Sequence, residues 1–93
     1  MINEEIKNSN SIEVDIEQAT PMFKQFLEIK QKYQGVVLLY RMGDFYEGFF
    51  EDAIIFNREL GLTLTHKDGG ALGKVPMAGI PVKSLNTYIH KLL

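Results

Sequence analysis

Apolar residues change their spacing several times along this chain, and each change predicts an element. From Thr20-Pro21 onward, Met22, Phe23, Phe26 and Leu27 recur at helical spacing. Thr20 is a good N-cap, and Pro21 suits the first helical position, where its missing N–H would be unpaired anyway. Gly35 is the predicted stop. Val36-Val37-Leu38-Leu39-Tyr40 is a short, continuous apolar run with β-branched members. It predicts a strand buried on both faces and central in a sheet. Over Glu51 to Leu60, Ala53, Ile54, Phe56, Asn57 and Leu60 supply a mostly apolar helical face. Glu51 and Asp52 favour that helix's positive end, and Gly61 closes it. Leu62-Thr63-Leu64-Thr65 alternates and predicts a strand with one solvated face. Val75 to Ile80 is the predicted returning strand, joined across the glycine-rich stretch His66 to Lys74, which reads as a mobile hairpin loop. After Pro81, Ser84 is predicted to cap a last helix with Leu85, Tyr88, Ile89 and Leu92 at core spacing. The order α-β-α-β-β-α predicts an α/β (α+β) domain, a small mixed β-sheet flanked by helices.

Residues 1–19 lack such periodicity and read as a flexible tail, with a short helix near Ile12 to Gln18 as the alternative. The domain is therefore expected over 20–93. The chain stops at Leu93 inside a helical pattern without a cap, so a piece of a longer protein, truncated at its C-terminal side, is expected. A length of 93 residues suffices for one small core. No stretch approaches the roughly 18 to 20 apolar residues of a membrane helix. The absence of Cys excludes disulfides, thiolate metal sites and Cys nucleophiles.

Charge argues against a generic nucleic-acid binder, since the net value is −2. Its distribution softens the objection. Glu4, Glu5, Glu13, Asp15 and Glu17 stand against Lys7 in the tail, so the remainder is mildly basic. Any DNA binding should still not rest mainly on phosphate neutralisation.

Four candidate sites are poorly supported by their pattern. Asp44, Glu47, Glu51 and Asp52 form an acidic cluster of the kind that binds Mg²⁺ in nucleases, but acids are also ordinary decoration of a helix N-terminus. Glu28-Ile29-Lys30 has the spacing of a restriction-like nuclease motif, yet it falls in the predicted first helix. Gly69 to Lys74 resembles a phosphate loop, but only three residues separate Gly69 from Gly73, and Val75 stands where Ser or Thr is needed. His66 and His90 have no nearby third ligand and read as surface residues.

Phe45-Tyr46-Glu47-Gly48-Phe49-Phe50 is harder to dismiss. Alternation puts Phe45, Glu47 and Phe49 on one side of the backbone. A carboxylate between aromatics is awkward in a core, but suits a ligand with ring faces and polar edges, such as a nucleic-acid base. Core packing and a protein-interaction patch remain the alternatives.

Several stretches resemble the N-terminal mismatch-recognition domain (domain I) of MutS-type DNA mismatch repair proteins, in that family's order and spacing. They are Thr20-Pro21-Met22, Tyr40-Arg41-Met42-Gly43-Asp44-Phe45-Tyr46-Glu47, Asp52-Ala53, Leu62-Thr63-Leu64-Thr65 and Pro76-Met77-Ala78-Gly79-Ile80-Pro81. The resemblance implies that Phe45 enters the minor groove and stacks on a mispaired or unpaired base of double-stranded DNA. It implies that Glu47 hydrogen-bonds that base, and that Met42 and Met77 line the DNA nearby. Gly48 departs from the large apolar residue common after the motif, which leaves local packing open. The family also implies a larger, dimeric protein with clamp and lever domains and a distant ATPase using ATP and Mg²⁺. It implies downstream repair partners and a cytoplasmic, nucleoid-associated location. No catalytic site and no cofactor are expected in these 93 residues, and the family's domain continues past Leu93 with further strand. The rival readings are a metal-dependent nuclease using Asp44, Glu47 and Asp52, and a protein-interaction module.

Overall fold

The computed structural model describes residues 18–93. Most of the expected N-terminal tail, 1–19, lies outside the described residues. The fold is a small four-stranded antiparallel sheet with three helices, a mixed α+β arrangement.

Two compact units emerge, the first from the segments ending at Gln34 and spanning Asp68–Lys74. It contains helix α1, Pro21–Lys32, started by Thr20, whose hydroxyl accepts from the Phe23 N–H at 3.5 Å. Phe23 and Phe26 are buried and Met22 and Leu27 half-buried, so the predicted apolar face holds. The helix ends at Lys32, before Gly35. In the same unit Ala19 bridges Gly70, and the Gly69 N–H donates to the Gly73 carbonyl at 2.7 Å.

The second unit comprises Gly35–Lys67 and Val75–Leu93. Its chain enters strand β1 (Tyr40–Met42), turns at Gly43-Asp44 and returns as β2 (Phe45–Phe49). Helix α2 (Glu51–Leu60) follows, then β3 (Thr65–Asp68), β4 (Lys74–Pro81), a 3-10 turn (Val82–Ser84) and α3 (Leu85–Leu92). The strand order is β1-β2-β4-β3. Ala53, Phe56 and Leu60 of α2 form the core with Ala78 and Ile80 of β4. Val37, Leu39, Leu62, Leu85, Tyr88 and Leu92 pack around it.

Four expectations need correction. Val36 to Leu39 is not a central strand: only Tyr40 joins the ladder, and β1 is an edge. Val37 and Leu39 are covered by the core cluster, and the Leu38 N–H is taken by the Asp52 carboxylate at 3.1 Å. Val36 is exposed and the rest of the run half-buried, so packing on one side replaces the strand pairing on two that the apolar run predicts. The Phe45–Phe49 strand was missing from the predicted order, which becomes α-β-β-α-β-β-α. Gly43 makes the difference, because its φ of 58° lets the chain reverse within two residues. The strand expected at Leu62 to Thr65 starts only at Thr65. Leu62 turns into the core, and its carbonyl accepts from Asn57 Nδ2 at 2.8 Å. Ser84 stands before α3 but makes no side-chain cap bond, because a 3-10 turn already leads into the helix.

Asp52 is the one buried charged residue among those described, at 2% exposure. Truncating it to Ala would leave the Leu38 N–H without this acceptor. A loss of about 1–3 kcal/mol is expected for such an orphaned group. Urea unfolding of the parent chain and the Asp52→Ala variant measures it, and equal midpoints would contradict the assigned role.

Candidate nucleic-acid interface

The hairpin and β4 decide which side chains share a face. Directly opposed residues on antiparallel strands point to the same side, and the side alternates along each strand. Met42 opposes Phe45, and Phe45 opposes Pro81. Tyr40 opposes Glu47, and Glu47 opposes Gly79. Phe49 opposes Met77. One face therefore carries three rows: Met42-Phe45-Pro81, Tyr40-Glu47-Gly79 and Phe49-Met77. The other carries Gly48, Ala78, Tyr46 and Ile80, toward the core helix α2.

All four predicted site residues, Met42, Phe45, Glu47 and Met77, thus lie on a single face, but not at equal depth. Phe45 is 44% exposed, whereas Phe49 at the other end of the same strand is buried and meets Tyr40 edge-on at 6.5 Å. Met42 and Met77 are half-buried. Met77 stands two rows from Phe45, roughly 13 Å along the strand, so it is the most remote of the four.

Phe45 opens β2 directly after the turn. An open cleft of about 470 Å³ beside it is lined by Arg41, Asp44, Phe45, Pro81, Val82 and Lys83. The turn is braced from both sides. Arg41 Nε donates to the Gly43 carbonyl at 2.6 Å, with its guanidinium 5.7 Å from the centre of the Tyr46 ring. The Val82 N–H donates to the Asp44 carbonyl at 2.9 Å. An exposed aromatic on a braced hairpin is held in place without being covered.

Glu47 is half-buried, and burial pushes its carboxyl above the ordinary 4.5, while the positive charge of Lys67 pulls it partly back. Ionised Glu47 therefore destabilises the folded state. The unfolded chain ionises first as pH rises, so stability falls between 4.5 and the raised value, and the penalty is constant above that. Glu47→Gln is expected to raise Tm near neutral pH, with the gain shrinking as the buffer is taken below about pH 4. A gain that is the same at both pH values would mean that charge burial is not its source.

The acidic cluster behind the nuclease reading does not converge. Asp44 lies in the turn, Glu47 on the open sheet face, and Asp52 is buried on the Leu38 N–H. No group of three His, Cys, Asp or Glu able to hold a metal ion occurs among the described residues. His66 and His90 are both exposed. Nor do the aromatics form a continuous surface patch. Among Phe45, Tyr46, Phe49 and Phe50, only Phe45 is exposed. No helix among the described residues is long and apolar enough to cross a membrane.

Two residues that act on Glu47 escaped the sequence reading, Lys67 through its charge and Gly79 across the ladder. Nothing in the sequence pointed to Lys67. Gly79 did carry a signal, because a glycine inside a strand pattern marks a close approach.

Comparison with known proteins agrees with these landmarks. The family model for MutS domain I matches residues 20–93. DNA mismatch repair protein MutS of Carboxydothermus hydrogenoformans is 54% identical over 74 residues, which is 80% of this chain and 9% of that protein. The MutS proteins of Syntrophomonas wolfei and Bacillus subtilis are each 51% identical over 74 residues, with the same shares covered. The chain thus spans 9% of the length of these relatives.

Proposed function

The chain belongs to the MutS domain I family, and from that membership we propose that it is the mismatch-sensing module of a longer DNA mismatch repair protein. Phe45 enters the minor groove of double-stranded DNA and stacks on a mispaired or unpaired base, and Glu47 hydrogen-bonds the base edge. The observation that carries this reading is the exposed Phe45 on a braced hairpin tip, with Glu47 on the same face two residues further in.

The energetics favour damaged pairing. Inserting a wedge costs a few kcal/mol of unstacking per base step. That cost is least where the pair is already broken. Stacking on an aromatic returns about 1–3 kcal/mol whatever the base. Phe45 therefore senses deformability and not sequence. A carboxylate brought near phosphates penalises undistorted duplex that offers it no hydrogen bond. A carboxyl whose proton affinity is already raised suffers that penalty less when, protonated, it donates a hydrogen bond to a base edge. Met42, opposite Phe45, supports the wedge from β1, and Met77 lines the DNA further along the face.

The module itself is non-catalytic and takes no cofactor in this reading. The longer protein supplies an ATPase using ATP and Mg²⁺, a dimeric clamp, and contacts to downstream repair factors, working in the cytoplasm at the nucleoid. The test is competition binding by the full-length protein. A duplex with one mispair or unpaired base competes against the fully paired duplex, with Mg²⁺ present. Preference for the mispaired duplex, recovered uncut, is expected. Equal binding, or cleavage lost on Asp44→Ala, would overturn the reading.

A further inference from the structure

Gly79 lies in the middle of β4 with no backbone reason to be glycine. It is absent from the five glycines with positive φ, and the β2–β4 register runs through it without interruption. A glycine in a strand interior weakens the strand, so another use for the missing side chain is indicated. The use is visible across the ladder. A Cβ at position 79 would lie within 2.8 Å of each carboxylate atom of Glu47. Opposed side chains on antiparallel strands normally stand side by side. Glu47 instead leans over the bare Cα of its partner.

We propose that Gly79 is a positioning residue for base readout, keeping the Glu47 carboxylate low against β4 while Phe45 stands clear of the surface. The proposal rests on the reading of Phe45 and Glu47 as the probe. The height difference is its physical content. Phe45 is the more exposed of the two and meets the duplex first. A carboxylate lying on the sheet reaches a base edge only once the duplex has opened and kinked around the wedge. An upright carboxylate would stand against the phosphates at the groove rim and away from the opened base edge, and the second stage of discrimination would be lost. Lying flat also removes water from the carboxylate, which agrees with its raised proton affinity.

A side chain at 79 conflicts with the far end of a flexible residue, so the fold can accept it while Glu47 cannot stay where it is. The variant is therefore Gly79→Ala. In the 93-residue chain, the Glu47 carboxyl titration, followed by ¹³C NMR, is expected to move down toward 4.5. In the full-length protein, the preference for mispaired over paired duplex is expected to fall several-fold, chiefly through weaker binding of mispaired duplex, because the displaced carboxylate no longer meets the opened base edge. In a Glu47→Ala background, Gly79→Ala should change neither that preference nor the ability to fold. An unmoved titration midpoint would overturn the proposal. So would a Gly79→Ala variant that fails to fold even in the Glu47→Ala background, since the conflict would then be with the backbone. An equal loss of preference in both backgrounds would also overturn it. If Phe45→Ala leaves mismatch preference intact, the probe reading itself fails, and a moved Glu47 titration would still report the contact with Gly79.

Discussion

Phe45→Ala is expected to abolish most of the preference for mispaired over paired duplex in the full-length protein while leaving the domain folded. The two halves of that result have one cause. Phe45 is 44% exposed at the start of β2, so its ring contributes little to the core formed by Ala53, Phe56, Leu60, Ala78 and Ile80. The braces of the turn, Arg41 on Gly43 and Val82 on Asp44, do not involve its side chain. What the truncation removes is stacking, about 1–3 kcal/mol, or roughly fivefold to a hundredfold in the ratio of affinities. Competition binding measures the ratio, and a thermal melt of the 93-residue chain checks the fold. A ratio equal to that of the unsubstituted protein would sink the assignment of the wedge. A large drop in Tm would mean that the ring is structural.

Gly48→Leu is expected to give the largest loss of stability at this sheet. Gly48 faces α2, and a Cβ there would lie 2.6 Å from Phe56 Cε2, 3.0 Å from Cδ2 and 3.1 Å from Cζ. Phe56 is fully buried, so its ring has nowhere to go. The backbone cannot retreat either, because β2 is paired with β1 on one side and β4 on the other. Overpacking of this kind costs about 1–3 kcal/mol. In a domain of this size that is a fall in Tm of roughly 5–20 °C. Thermal unfolding by circular dichroism reads it. Phe56→Leu in the same chain should recover part of the loss, because the two positions compete for one volume. A Gly48→Leu variant melting with the parent would show that the core can repack, and the steric account would fail. The space beside Gly48 is filled from the helix, by Phe56.

Much of this was legible in the residues taken one stretch at a time. Helix α2 was predicted at its observed bounds, because its caps and its apolar spacing agree: acids in the first turn, Gly61 at the end, Ala53, Phe56 and Leu60 inward. Helix α1 began where Thr20-Pro21 said it would. The same-side placement of Phe45 and Glu47 followed from alternation alone. Where the reading slipped, it overstated burial and named the wrong partner. Val36 is 52% exposed, and Val37 and Leu39 are half-buried against the core cluster and not between neighbouring strands.

Other features had no local signature, because they exist only between strands. Phe45 is exposed and Phe49 buried although both are Phe on one side of one strand, and only their places along the sheet separate them. The gathering of Met42 and Met77 onto the face of Phe45 depends on two registers that join residues 3 to 36 positions apart. The partnership of Glu47 with Gly79 is of the same kind. Sequence alone thus determined that the two members of the proposed probe, Phe45 and Glu47, share a side, because a strand's period of two is a local property of the backbone. The depth of each member, and the bare Cα on which the carboxylate lies, were decided by strand pairing, because only the register of a neighbouring chain segment sets what stands beside a side chain.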